Sequence, residues 1–163
     1  MRIYVNLSFA LVVALAACAP SSESALEANK SIVRVYIDAY NRNDLDGFDE
    51  LLVADFTRYS RSNVEASSLE EFKERVRSGT EAFPDRRMEI TTLVAEADRV
   101  VVYGTWSGTQ DAPYGSLPAS GKKAVIPFFY MFRIEGGKIV ELWTEWDNVN
   151  FLQQLGHYPR EES

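Results

Sequence analysis

At Pro84 the pattern of apolar residues changes period, and that switch decides the fold class. Before it, apolar side chains recur at helical spacing; after it, they run in strand-like blocks. Ile32, Val35, Tyr36, Ala39 and Tyr40 share one face of a helix over Leu26 to Tyr40. Asn41-Arg42-Asn43-Asp44 breaks it, with Asn43 or Asp44 able to cap the next helix. Leu45, Phe48, Leu51 and Leu52 then line a second, short helix. A third begins at Ser68, where Glu71 completes a capping box. It carries Phe72, Val76 and Phe83 until Pro84 stops it.

Beyond Pro84, Met88 to Ala95 and Arg99 to Gly108 read as two strands around a polar turn at Glu96-Ala97-Asp98. Asp111 to Gly121 reads as a loop, and Lys122 to Ile134 as a third strand. From Val125 to Phe132 that strand is nearly all apolar, which predicts burial on both faces. Pro127 inside it predicts a bulge or a locally unpaired edge. Gly136-Gly137 closes a hairpin onto a last strand ending near Trp146, and a short helix follows to Gly156. Helices first and an antiparallel meander afterwards define an α+β fold.

The N-terminus reads as an export signal over residues 1–17. Arg2 supplies the positive start, and Leu7 to Ala14 is apolar apart from Ser8 and too short to span a bilayer. Leu15-Ala16-Ala17-Cys18 resembles a bacterial lipobox, in which the cysteine is lipidated and becomes the new N-terminus. Cys18 is the only cysteine, so no internal disulfide can form, and a thioether to lipid gives the thiol a role. Residues 18–27 then read as the lipidated cysteine and a tether, 28–156 as one domain and 157–163 as a tail. The expected location is the bacterial cell envelope, anchored by lipid and facing away from the cytoplasm. A net charge of -7 excludes nucleic acid as a natural partner.

Four stretches, in order, carry a family resemblance. They are Asn41-Arg42-Asn43-Asp44-Leu45-Asp46 through Asp55-Phe56, then Phe83-Pro84-Asp85, then Leu117-Pro118-Ala119-Ser120-Gly121-Lys122. The last runs from Gly137-Lys138-Ile139-Val140-Glu141 with Trp143 through Asp147 to Leu152-Gln153-Gln154-Leu155-Gly156. Together they resemble the SnoaL-like polyketide cyclase branch of the nuclear transport factor 2-like superfamily, over Ala28 to Gly156. The resemblance implies a cone of curved antiparallel sheet wrapped on helices, enclosing an apolar pocket and often dimerising through the sheet. It also implies that the residue matching Asp147 is an acid/base in the cyclases. Histidines of the family pattern match Tyr59, Gln110 and Leu142 here.

Strict alternation puts Glu141, Trp143, Glu145 and Asp147 on one face of the last strand, but one bulged residue would reverse that. If Asp147 faces an apolar pocket, desolvation raises its pKa and makes it a catalytic acid/base. If it heads the last helix, it is an N-cap. Tyr59 is the companion candidate, as a donor to a developing oxyanion. Tyr36, Tyr103, Trp106, Gln110, Phe128, Tyr130 and Trp143 are the expected pocket lining. The lone imidazole, His157, and the lipidated thiol leave no zinc site and no Ser/His or Cys/His nucleophile, so neither cofactor nor metal is expected. Two functions follow. One is a lipid-anchored pocket protein holding a small apolar molecule; the other is an acid/base enzyme (cyclase, isomerase or dehydratase type) acting on a small carbonyl compound through Asp147. A homodimer is the expected assembly.

Overall fold

A computed structural model describes residues 22–60 and 63–159, so Cys18 and the signal segment lie outside the described residues. Helix α1 spans Ser22–Arg42, α2 Gly47–Leu51 and α3 Leu69–Ala82. Strands β1 (Leu52–Ser60) and β2 (Asn63–Ala66) stand between α2 and α3. Strands β3 (Arg87–Glu96), β4 (Arg99–Thr109), β5 (Lys123–Glu135) and β6 (Lys138–Trp146) follow, and α4 (Asn148–Leu155) ends the domain. The helices match the helical periods, except that α1 begins at Ser22 and takes in residues 22–27, which the sequence reading gave to the tether. No helix among the described residues is long and apolar enough to cross a membrane.

The six strands form one curved sheet in the order β2-β1-β6-β5-β4-β3. The sequence reading held four of them and missed β1 and β2. Those four pair antiparallel as the expected meander, while β1 runs parallel to β6 and makes the whole sheet mixed. Strand β1 escapes a periodic reading because its alternation is interrupted: its ladder with β6 jumps from Leu52 to Thr57. Only then do Phe56, Arg58 and Ser60 settle onto the inner face.

Strand β5 corrects a second expectation. Its burial alternates along its whole length, with Val125 and Phe129 48% and 56% exposed, so the apolar run covers both faces but is buried on only one. Pro127 sits in unbroken register with β4 opposite Thr105, while pairing to β6 begins only at Phe128. The missing N–H therefore costs no ladder bond, as the unpaired-edge reading requires. Gly136 and Gly137 both have positive φ (57° and 80°), as a two-residue turn joining Glu135 to Lys138 requires.

Two apolar clusters fill the concave side. The larger joins Val33, Tyr36 and Ile37 of α1, Phe48 of α2 and Phe72 of α3 to Val102, Phe128 and Phe132 of the sheet. The smaller joins Ala82, Phe83, Ala124, Ile126, Phe151 and Leu155 under α4. Local chemistry fixes the helix ends. The Ser68 hydroxyl accepts the Glu71 N–H at 3.2 Å, and the Glu71 carboxylate takes the Ser67 N–H at 2.7 Å, one residue upstream of an ordinary capping box.

Candidate ligand cavity

Where the two clusters meet, the packing leaves a cavity of about 430 Å³, within the range of small-molecule sites. Phe83, Trp106, Ile126, Phe128, Phe151 and Leu152 form its apolar wall. Trp106 is held on edge by Phe83 (5.2 Å between ring centroids) and Phe151 (5.7 Å). Gly108, two residues along β4, makes room for it, since a Cβ there would meet the indole at 2.8 Å. The indole Nε1–H donates to the Tyr40 hydroxyl at 3.2 Å, which ties β4 to α1 across the wall.

The other wall is charged. Arg58 projects from β1 and pairs with Glu65 of β2. Glu65 also takes the Arg75 Nη2 of α3 at 3.1 Å. The β1–β2 register jumps between Arg58 and Tyr59, so Glu65 is the bulged residue, and bulges re-aim side chains in this way. Arg86, on the corner after α3, holds its guanidinium carbon over the Tyr40 ring, 4.0 Å from its centroid. That corner is pinned by Asp85, whose carboxylate accepts the Thr109 N–H at 2.6 Å and its hydroxyl at 2.8 Å.

Burial pushes the Tyr130 phenol up to about 12, with Arg58 beside it pulling the other way, and pushes Tyr36 well above its ordinary value. Both stay protonated at neutral pH, so the cavity offers phenol and guanidinium donors. Its one carboxylate among the described lining residues, Glu65, is already engaged by two cations. Such a wall presents hydrogen-bond donors to any oxygen placed in the cavity.

Of the seven expected lining residues, Trp106, Phe128 and Tyr130 line the cavity. Tyr36 lies deeper, fully buried against Phe48 and Phe132, and touches only a small side recess. Gln110 is fully buried outside the cavity, its Oε1 2.7 Å from His157 Nε2. Tyr103 and Trp143 occupy the opposite, outer face of the sheet, Tyr103 tilted against Phe129 and Trp143 stacked on Tyr59. An extra residue at Val140 sets that parity: Leu142 and Thr144 face inward, so Trp143 faces out. Tyr59, between the inward Arg58 and Ser60, faces out with it.

Asp147 takes the capping alternative. It is exposed, and its carboxylate accepts the Asn150 N–H at 2.9 Å at the start of α4. The chain leaves the strand at Trp146, so the cavity is lined by Trp146 and Asn148 but not by the acid between them. The sequence reading missed Arg58, Glu65, Arg75, Arg86 and Tyr40. The only signal was period two in Phe56-Arg58-Ser60, which becomes visible once β1 is recognised.

A curved mixed sheet closed over helices around an apolar cavity is the cone of the nuclear transport factor 2-like proteins. The chain belongs to the SnoaL-like polyketide cyclase family, which it matches over residues 30–155. AclR from Streptomyces galilaeus, a candidate hydroxylase, is similar at 27% identity and a TM-score of 0.73, over 82% of this chain and 99% of AclR. A candidate SnoaL-like polyketide cyclase from Jannaschia sp. CCS1 shares the fold at 22% identity and a TM-score of 0.75, over 82% of this chain and 94% of its own. So does IdmH, a candidate polyketide cyclase from Streptomyces antibioticus, at 24% identity and 0.69, over 78% and 98%. No curated protein sequence matches the chain.

Proposed function

We propose that this is a lipid-anchored envelope protein whose cone holds a small, largely apolar molecule. The observation that carries the reading is the cavity of about 430 Å³ walled by Phe83, Trp106, Phe128 and Phe151, with Asp147 outside it. An acid/base enzyme working through Asp147 needs that carboxylate beside the substrate. The exposed, helix-capping position of Asp147 weighs against it. Because Trp106 and Trp146 both line the cavity, an apolar ligand should quench tryptophan fluorescence and raise the melting temperature. A small lipophilic library that does neither would sink the proposal.

Anchoring rests on Cys18, four positions before the start of α1. A diacylglycerol thioether there would hold the cone close to the membrane surface, because two acyl chains anchor stably where one does not. Cys18→Ser should release the protein from membranes or stall its processing; a soluble mature chain beginning at Pro20 would count against it.

The homodimer is proposed to form through the outer face of the sheet. Tyr59, Trp143, Met131, Val101 and Val94 stand in one cross-strand row over five strands, with Tyr103 and Phe129 in tilted ring contact beside it at 4.7 Å. An apolar band of that extent is unusual on a monomer.

A further inference from the structure

Arg86 is only 7% exposed, yet among the described residues no carboxylate lies within 4 Å of its guanidinium. The acceptor in reach is the Asn43 Oδ1, at 3.4 Å. Burying a cation without a counter-charge is strongly unfavourable, and the Tyr40 ring offsets only part of that. The backbone also makes way for this group. Gly79, inside α3, would crowd Arg86 Nη1 at 3.1 Å if it carried a Cβ, although glycine weakens a helix interior. A second guanidinium, Arg58, faces the same space beside the Tyr130 hydroxyl. Among the described lining residues three arginines stand against one glutamate, a positive balance inside a chain whose net charge is -7.

We infer that the ligand carries a carboxylate, and that Arg86 receives it. The planar fork of a guanidinium matches a carboxylate through two parallel N–H bonds, which an ammonium cannot do. Arg86 meets the cavity beside Tyr40 of α1 and Gly79 of α3, while Trp106 lines it from β4 and Phe151 and Leu152 line it from α4. The class of ligand is therefore an aromatic or polycyclic carboxylic acid, apolar body against Trp106 and Phe151, charged head at Arg86. This deepens the cavity-binding reading and rests on it.

The test uses the mature chain with 2-naphthoate and its uncharged counterpart 2-naphthamide, titrated calorimetrically and by tryptophan quenching. The acid should bind at least about tenfold more tightly than the amide. Arg86→Gln should remove that preference by weakening the acid alone, and Arg86→Lys should keep part of it. In the unaltered protein, the Arg86 side-chain N–H resonances should shift with the acid and not with the amide, a readout that needs no variant to fold. Equal binding of acid and amide overturns the head-group assignment while leaving the cavity as an apolar site. A preference that survives Arg86→Gln overturns the assignment to Arg86. Failure of both probes to bind removes the cavity reading and this one together.

Discussion

The Asp147 carboxylate accepts the Asn150 N–H at 2.9 Å, closing the first turn of the helix that carries Phe151 and Leu152 into the cavity wall. Its contribution is therefore to hold α4 in place, and two substitutions read it out. Asparagine caps almost as well as aspartate, so Asp147→Asn should leave stability nearly unchanged. Asp147→Ala should cost about 0.5–2 kcal/mol in denaturant unfolding. A buried acid would show the reverse, with Asn stabilising at neutral pH, and that outcome would restore Asp147 as a candidate for catalysis.

Asp85 gives a pH-dependent counterpart. Hydrogen bonds from the Thr109 backbone N–H, the largest cause, and the Thr109 hydroxyl hold its carboxyl below the ordinary 3.8. A depressed folded pKa stabilises the fold above the unfolded value, and the contribution disappears as pH falls through the lower folded value. Wild type should therefore exceed Asp85→Asn in melting temperature at neutral pH, and the gap should close below about pH 3.8. A gap that stays constant on acidification would show that the charge is irrelevant at this corner.

Local chemistry was legible in the sequence where a few neighbouring residues decide the outcome. The Ser68 cap, the Pro84 stop and the Gly136-Gly137 turn are of that kind, and each stands where the residues put it. Strand β1 was not legible, because its main partner is β6, more than 80 positions away, and its own alternation breaks before Phe56. The charged wall followed it into obscurity. Arg58, Glu65, Arg75 and Arg86 look like solvated surface charges until the sheet order places β1 and β2 beside α3. Tyr59 and Trp143 were misplaced for a smaller reason: the single extra residue at Val140 reverses which side chains of β6 face the cavity.

The outer row of the sheet makes its own prediction. If Tyr103 and Phe129 lie in a two-fold interface, Phe129→Glu should convert the dimer to a monomer in sedimentation analysis, because it buries a charge opposite an aromatic surface. Phe129 is 56% exposed in the single chain, so its fold should tolerate the change, with stability within about 0.5 kcal/mol once dimerisation is accounted for. A monomer already in wild type would remove the dimer proposal.

Gln154 substitutes for a strand that is missing. Strand β6 ends its pairing at Phe128, and beyond it the Gln154 side-chain amide bonds both backbone groups of Val125. Its Oε1 accepts the Val125 N–H at 2.8 Å, and its Nε2 donates to the Val125 carbonyl at 2.9 Å. The same Nε2 reaches the Asn150 Oδ1 within α4 at 3.0 Å, and the two bonds to Val125 fasten that helix to the sheet. Gln154→Ala should cost about 1–2 kcal/mol, the sum expected for two modest hydrogen bonds. The signature is local: hydrogen exchange at the Val125 amide should speed up, while amides paired deep in β4 and β5 keep their protection. Because α4 carries Phe151 and Leu152, an apolar probe should also bind this variant more weakly than wild type. If Val125 exchanges at its original rate in Gln154→Ala, the amide pairing is not what seals the end of the sheet.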